Sequence, residues 1–353
     1  GWKCSIPTFR NDLCVETDLI EEIFRCYGYE NIESSFSYTS IMQYANDEES
    51  SIFSLKHHLS SLGFHQSYNN SLEDLEEVKL FGKNAISVVN PSSERMNTLR
   101  TTLHAGLLKN LDFNFRNGSS NTLIYEYGTI FEGKTNQLED ITQKSSLSCL
   151  VHGDVFAKNV HFDSISASFA FLKGVACNIF EDKKLGIKIK FKEQKHYYCD
   201  PYFSIIDGKK QVIGGLGVIN QSLLKDLDIA HKHDVVVLDI DTIIFTDYRS
   251  YSTKVKDIVP FPLVSRDLNF KMDSNIKVGD VVKAMRSVNQ SILQNVLPVD
   301  IYQSKNDVTT KDVLFSLSFQ SPNKTLEDKD VNTIITEIIN VVSKKFNAKL
   351  RDN

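Results

Sequence analysis

The 353-residue chain contains no apolar run approaching the ~20 residues that a membrane-spanning helix needs. Its six cysteines (Cys4, Cys14, Cys26, Cys149, Cys177 and Cys199) form no CxxC pair. Neither a zinc ribbon nor a redox dithiol is spelled out, and buried, reduced thiols in a cytoplasmic protein are the expectation. The nine histidines are dispersed, and the close sets, His57-His58 and His231-Lys232-His233, lack HExxH or zinc-finger spacing. No P-loop, Ser/His/Asp or Cys/His arrangement stands out. Charge of one sign is also lacking, with 40 Lys+Arg against 45 Asp+Glu. The balance is uneven along the chain. Pro260 to Asn353 holds 13 basic and 11 acidic residues, a net of +2, which leaves −7 for the remainder. A basic end module on an acidic body suits a polyanionic partner near the C-terminus, although charge alone also fits a chance fluctuation. The chain opens on Gly1-Trp2-Lys3 without Met and reads as a piece of a longer protein.

What is present is α+β patterning, in a length that suits two or three domains. Its centre is the stretch from Asn90 to Glu132. Val88 to Pro91 end a strand, since proline gives no donor to a ladder. Leu103, Leu107, Leu108 and Leu111 recur at helical spacing over Thr101 to Phe115, and Asn117-Gly118 stops that helix. In the strand that follows, Leu123, Tyr125 and Tyr127 face one way and Ile124, Glu126 and Gly128 the other. Upstream, Trp2 to Ile6 alternates like a strand, and Ile52 to Leu62 marks a helix. Downstream, a helix over Ile165 to Phe180 precedes a hairpin of Tyr202–Ile206 and Gln211–Gly214, and then a strand over Val235–Ile240. Gly214-Gly215-Leu216-Gly217 hints at a dinucleotide loop, but the third glycine and the βαβ unit are missing.

NPSSERMNTLRTTLHAGLLKNLDFN followed by YEYGTIF resembles the catalytic-like domain of the β subunits of bacterial-type phenylalanyl–tRNA synthetases. The resemblance implies a class II aminoacyl-tRNA synthetase-like antiparallel-sheet domain. A working site of that class places arginines on its motif strands to hold phosphate. Here the strand reads Tyr125-Glu126-Tyr127-Gly128, and no arginine directly follows the Gly214–Gly217 segment. No catalytic residue is therefore assigned.

Between Glu16 and Gly28 a helix carries Leu19, Ile20, Ile23 and Phe24 on one face. Asp18, Glu21 and Glu22 share another face, and Asp12 lies one short loop earlier. Such a set suits a hard cation such as Mg²⁺, or else an acidic first turn favoured by the helix dipole. PTFRNDLCVETDLIEEIFRCYGYENI resembles the end of the same family's B5 module. That resemblance implies that Asp12, Asp18, Glu21 and Glu22 are Mg²⁺-associated carboxylates, at a site shared with the α subunit in the whole enzyme.

From Pro260 the pattern becomes regular. Strands over Leu263–Phe270, Val296–Tyr302 and Val313–Phe319, helices over Val278–Val288 and Glu327–Phe346 and a short strand at Ala348–Arg351 give βαββαβ, a ferredoxin-like order. Thr325 and Asp328 have capping-box spacing. FPLVSRDLNF, DIYQSK, FSLSFQSPNKTLEDKDV and AKLRDN resemble the family's ferredoxin-fold anticodon-binding domain. Candidate RNA contacts are Arg266, Tyr302, Lys305, Lys324, Lys349 and Arg351, although each more often reads as a solvated surface charge or a half-buried ring.

The expected organisation is the end of B5 (1–33), a catalytic-like domain without an active site (34–250) and an anticodon-binding domain (255–353). The resemblance implies part of a ligase that uses ATP to join phenylalanine to its tRNA in an (αβ)₂ assembly. The implied partners are the α subunit and the phenylalanine tRNA, with neither DNA nor membrane. The alternatives are a stand-alone enzyme with an RNA-binding regulatory module, and a regulatory RNA-binding protein on a retired synthetase fold.

Overall fold

The computed structural model describes residues 1–34, 48–82, 84–133, 138–181, 187–229, 233–244, 258–304 and 307–351. Most of the polar linker expected after Ser34, His231-Lys232 and the candidate Lys305 lie outside these residues. The chain divides into two units, Gly1–Tyr251 and Ser252–Asn353.

In the first unit, Trp2 to Ile6 forms no strand. Alternation makes a strand only where a ladder partner exists. Helix α1 (Glu16–Tyr27) ends where Gly28 takes a φ of +92°, and none of its residues is buried. Then come α2 (Glu48–Ser61) and β1 (His65–Gln66). A small sheet of β2 (Leu72–Glu73), β3 (Ile86–Ser87) and β4 (Thr98–Leu99) follows, with α3 (Leu75–Lys79) after its first strand. The central elements are α4 (His104–Arg116), β5 (Thr122–Glu132) and β6 (Thr142–His152). A short hairpin of β7 (Asp154–Phe156) and β8 (Ile165–Ser166) leads into α5 (Phe169–Glu181). The helix expected from Ile165 thus starts later, because Ile165 and Ser166 pair with β7. Finally come β9 (Lys190–Glu193), β10 (Cys199–Ile206), β11 (Val212–Ile219), α6 (Gln221–Asp226) and β12 (Val236–Asp241).

Seven strands form one sheet in the order β1-β5-β6-β12-β11-β10-β9, antiparallel except for the β1–β5 pair. Alternation along β5 sends Leu123 and Tyr125 into a core with Leu55 and Leu59 of α2 and Leu172 and Ala176 of α5. It sends Ile124 into a second core with Leu107, Leu108 and Leu111 of α4. A Leu side chain taken from water contributes roughly 1.5–3 kcal/mol, so these three leucines anchor α4. Gly214–Gly217 lies inside β11 and not in a nucleotide-binding loop. Three cysteines (Cys4, Cys14 and Cys26) are exposed, contrary to the expectation of burial, because α1 and the segment before it pack against no core; Cys149 and Cys199 are buried.

Arg100, just past β4, is a buried charge of this unit. Its Nη1 donates to Glu126 Oε1 at 2.6 Å and its Nε to the Thr129 carbonyl at 2.8 Å. The two side chains are 5% and 2% exposed. Asn69 Nδ2 donates to the other oxygen of Glu126 at 2.6 Å. Nearby Glu73 is buried and its Oε2 has no hydrogen-bond partner among the described residues.

The second unit is β13 (Val264–Asp273), α7 (Val278–Arg286), β14 (Leu293–Ser304), β15 (Asp307–Phe319), α8 (Asp328–Phe346) and β16 (Lys349–Leu350). Its strand order β14-β15-β13-β16, all antiparallel, is the ferredoxin-like arrangement. Phe270, Val313, Phe315, Leu317 and Phe319 pack one sheet face onto Met285 of α7 and Ile334, Ile338 and Val342 of α8. Glu327, not Thr325, is the N-cap of α8, and its backbone N–H donates to Asp330. Asn347 closes the helix in the left-handed region at φ +50°.

Two stability outcomes follow. Removing one partner of a buried ion pair costs about 3–5 kcal/mol, whereas an apolar replacement of both is much better tolerated. Glu126→Ala is expected to lose that amount in urea melts, and Arg100→Met with Glu126→Leu to recover most of it. Burial pushes the Glu73 carboxyl up to about 7, against the lowering effects of Lys109 and Arg100. Between the ordinary carboxylate range and pH 7 the unfolded chain releases a proton that the folded chain retains, so stability falls as pH rises through that window. Glu73→Gln is expected to raise stability by about 1–3 kcal/mol at pH 8 and to leave it nearly unchanged at pH 4, read by melts at both values.

Candidate nucleic-acid interface

Strand register places Glu126, Ser148, Asp239, Gly215 and Ser204 opposite one another across the central sheet. They lie on the side that carries Ile124 and α4. This polar row is filled by the chain itself. A Cβ on Gly128 would come within 2.2 Å of Arg100 Nη2, and one on Gly215 within 2.0 Å of the Tyr202 hydroxyl. His196 stacks on the Tyr202 ring at 4.1 Å between centroids. His104 Nε2 lies 3.0 Å from Asp239 Oδ1, and His104 Nδ1 shares a hydrogen bond with the Tyr198 hydroxyl at 2.9 Å. Ser148 Oγ donates to Asp239. Burial beside Asp239 pushes the Tyr202 phenol up to about 12 and the Cys199 thiol upward as well. The Tyr202 phenol and the Cys199 thiol are thus held neutral, and Arg100, which faces the row, is committed to Glu126. A phosphate would find no free guanidinium in Arg100.

The α1 carboxylates are arranged differently from a ligand set. Arg10 Nη2 donates to Asp12 Oδ2 at 2.7 Å and also to Glu22, which Arg25 holds from the other side. The guanidinium beside it holds the Asp12 carboxyl down at about 2. Asp18 accepts from the backbone N–H groups of Cys14 and Val15 at 2.7 and 2.9 Å, which lowers its pKa and caps the helix start. Glu21 is exposed. Among the described residues, no three His, Cys, Asp or Glu side chains converge as metal ligands. In this conformation Arg10 supplies the positive charge between Asp12 and Glu22, and the four acids do not fit a bound Mg²⁺.

The second unit leaves one sheet face uncovered. Tyr302, Asp312, Lys271 and Lys349 form a single row across all four of its strands. Their neighbours Ile301, Val313, Phe270 and Leu350 point to the helix-covered face, so the row lies on the open one. Arg351 reaches into the row, its Nη1 donating to Asp312 Oδ2 at 2.6 Å. The structure thus gathers Tyr302, Lys349 and Arg351. It sets Arg266 elsewhere, in step with buried Leu268 and Phe270 and paired with Asp328 at 2.7 Å in the first turn of α8. Lys324 pairs with Asp330 at 2.7 Å at the same helix start. Lys271 was not among the sequence candidates. Alternation along β13 was enough to place it off the core, but only the register sets it in one row with Tyr302, between Asp312 and Lys349. A row with an aromatic ring at one edge and Lys271, Lys349 and Arg351 on the strands beyond Asp312 suits a single-stranded nucleic acid, with a base on the ring and phosphates on the cations.

Residues 32–242 match the family model of the phenylalanyl tRNA synthetase beta chain CLM domain, and the chain belongs to that family. Residues 260–351 match the ferredoxin-fold anticodon binding domain and residues 1–29 the tRNA synthetase B5 domain. Among curated relatives, the phenylalanine–tRNA ligase beta subunit of Shewanella oneidensis is 27% identical over 99% of this chain and 44% of its own length. That of Francisella tularensis is 28% identical over 98% of this chain and 43% of its own. The chain therefore spans somewhat under half the length of these relatives. Among solved structures, a pyrrolysyl-tRNA synthetase from Desulfitobacterium hafniense is similar at 13% identity and a TM-score of 0.44, over 57% of this chain and 68% of its own. No helix of the described residues is long and apolar enough to cross a membrane.

With Arg10 between Asp12 and Glu22, Mg²⁺ at about 10 mM is expected to leave the melting temperature of this chain unchanged, since only a ligand that binds the native state raises it. A magnesium-specific rise, absent with an equal ionic strength of NaCl and abolished in Glu22→Gln, would contradict that arrangement.

Proposed function

We propose that the chain is a non-catalytic part of a phenylalanine–tRNA ligase beta subunit, serving subunit assembly and tRNA binding. The observation that carries the RNA half is the open row of Tyr302, Lys271 and Lys349 with Arg351 beside it. The names of the relatives support the rest. On this reading the parent enzyme joins phenylalanine to its tRNA with ATP, in the cytoplasm, and its active site belongs to an alpha subunit. Residues 1–33 end a B5 module, 34–250 form the catalytic-like scaffold and 255–353 form the anticodon-binding domain. Asp12, Asp18, Glu21 and Glu22 take part in a Mg²⁺ site only in the assembled enzyme, where Arg10 must yield. Arg266 and Lys324, each already paired with an acid in the first turn of α8, serve RNA as secondary contacts away from the open row.

The experiment is binding of this chain to the phenylalanine tRNA by fluorescence anisotropy across a salt series. Loss of a stacked base costs ~1–3 kcal/mol, so Tyr302→Ala is expected to weaken binding by about 5- to 100-fold. Lys349→Ala is expected to reduce the slope of log affinity against log salt by about one. Unchanged binding in both variants, with the wild-type chain binding tightly, would overturn the placement of RNA on this face.

A further inference from the structure

Beyond this RNA reading, and resting on it, the open face carries an acid where electrostatics alone would place none. Asp312 sits in the middle of the row, directly opposite Tyr302 on one side and Lys271 on the other. Its side chain is 13% exposed, against 57% for Arg351. One carboxylate oxygen accepts from Arg351, and the other is buried with no hydrogen-bond partner among the described residues. Lys271 in turn lies 3.7 Å from Asp307, which Thr309 and Thr310 hold in place through their hydroxyls. Two of the three cations of the face are thus already engaged by carboxylates, and no ion pair to Lys349 is found among the described residues.

A carboxylate and a phosphate compete for the same guanidinium donors. RNA therefore reaches Arg351 only by displacing Asp312, and any phosphate near the row centre meets the charge of Asp312. An RNA that offers phosphate alone gains little from this exchange. An RNA that also seats a base on Tyr302 gains the stacking as well. We propose that Asp312 is a specificity-determining residue: it occupies Arg351 in the free chain and so suppresses binding of RNA that cannot stack on Tyr302. Discrimination is a difference of affinities, and a built-in competitor lowers the weaker one.

The test is Asp312→Asn in the full 353-residue chain, since Asn keeps the size and an acceptor for Arg351. Anisotropy is read with two probes across a salt series: a fully paired double-stranded RNA oligonucleotide, which offers phosphates but no unpaired base to Tyr302, and the phenylalanine tRNA. The variant is expected to bind the oligonucleotide about three- to fivefold tighter, the upper end of the range of a surface ion pair, with a salt slope steeper by about one. The tRNA is expected to gain less than about twofold, so the ratio between the probes falls. Asp280→Asn serves as the charge control, since Asp280 lies on α7 and pairs with Lys283, away from the open face. An unchanged oligonucleotide affinity, an equal gain for both probes, or the same gain in Asp280→Asn would overturn the proposal. If Asp312→Asn fails to fold, Arg351→Gln decides. It should weaken the tRNA more than the oligonucleotide, and equal weakening would overturn the proposal. A wild-type chain that binds neither probe overturns the RNA reading itself, a result distinct from all of these.

Discussion

The buried pair of Arg100 and Glu126 is the constraint on which the first unit depends. A guanidinium inside a protein must be fully paired or it is strongly destabilising. Glu126 accepts from Arg100 at 2.6 Å and from Asn69 at 2.6 Å, and the Thr129 carbonyl takes a further Arg100 donor. The Arg100 backbone is tied as well, to Ser71 on one side and Phe131 on the other. This set joins the small β2-β4-β3 sheet to the central strand β5. It also dictates two glycines, since a Cβ at Gly128 would strike Arg100 and one at Gly106 would come within 2.9 Å of Asn69. The same pairing removes a cation from the polar row of the sheet. Structural order and the lack of a free phosphate clamp at this arginine are one arrangement.

Charge is handled otherwise in the second unit. There Lys271, Lys349 and Arg351 sit on a face that helices leave open, and the acids that pair with two of them, Asp307 and Asp312, are 41% and 13% exposed. Exposed pairs of this kind contribute only ~0–1 kcal/mol each, so an incoming polyanion exchanges them at low cost. Arg10 with Asp12 and Glu22 on α1 belongs to the same weak, exchangeable class. The contrast between one locked guanidinium and several loosely held ones separates scaffold from binding surface within a single chain.

Much of this was legible in the sequence because periodicity reports burial. The leucines of α4 and the alternation of β13 and β15 named the core faces correctly, and βαββαβ followed from the order of the elements. Contacts between segments distant in sequence were not legible. Arg100 and Glu126 are separated by 26 residues, and nothing local in YEYG says that its Glu is buried against an arginine. Lys271, Asp312 and Tyr302 come together only through the register of three strands. The α1 acids share a helical face as the spacing implied, yet Arg10 from the preceding turn reaches them first, a side-chain choice that spacing does not encode. Trp2 to Ile6 had the alternation of a strand and lacked a partner.

The most direct measurement is phenylalanine-dependent ATP–pyrophosphate exchange by this chain alone. A first unit whose Arg100 is committed to Glu126 and whose Gly215 is covered by Tyr202 should give no exchange above a protein-free blank. Exchange that is saturable in phenylalanine, copurifies with the chain and disappears in Arg100→Met would contradict the account, because it would place a working phosphate site in the row described here as filled.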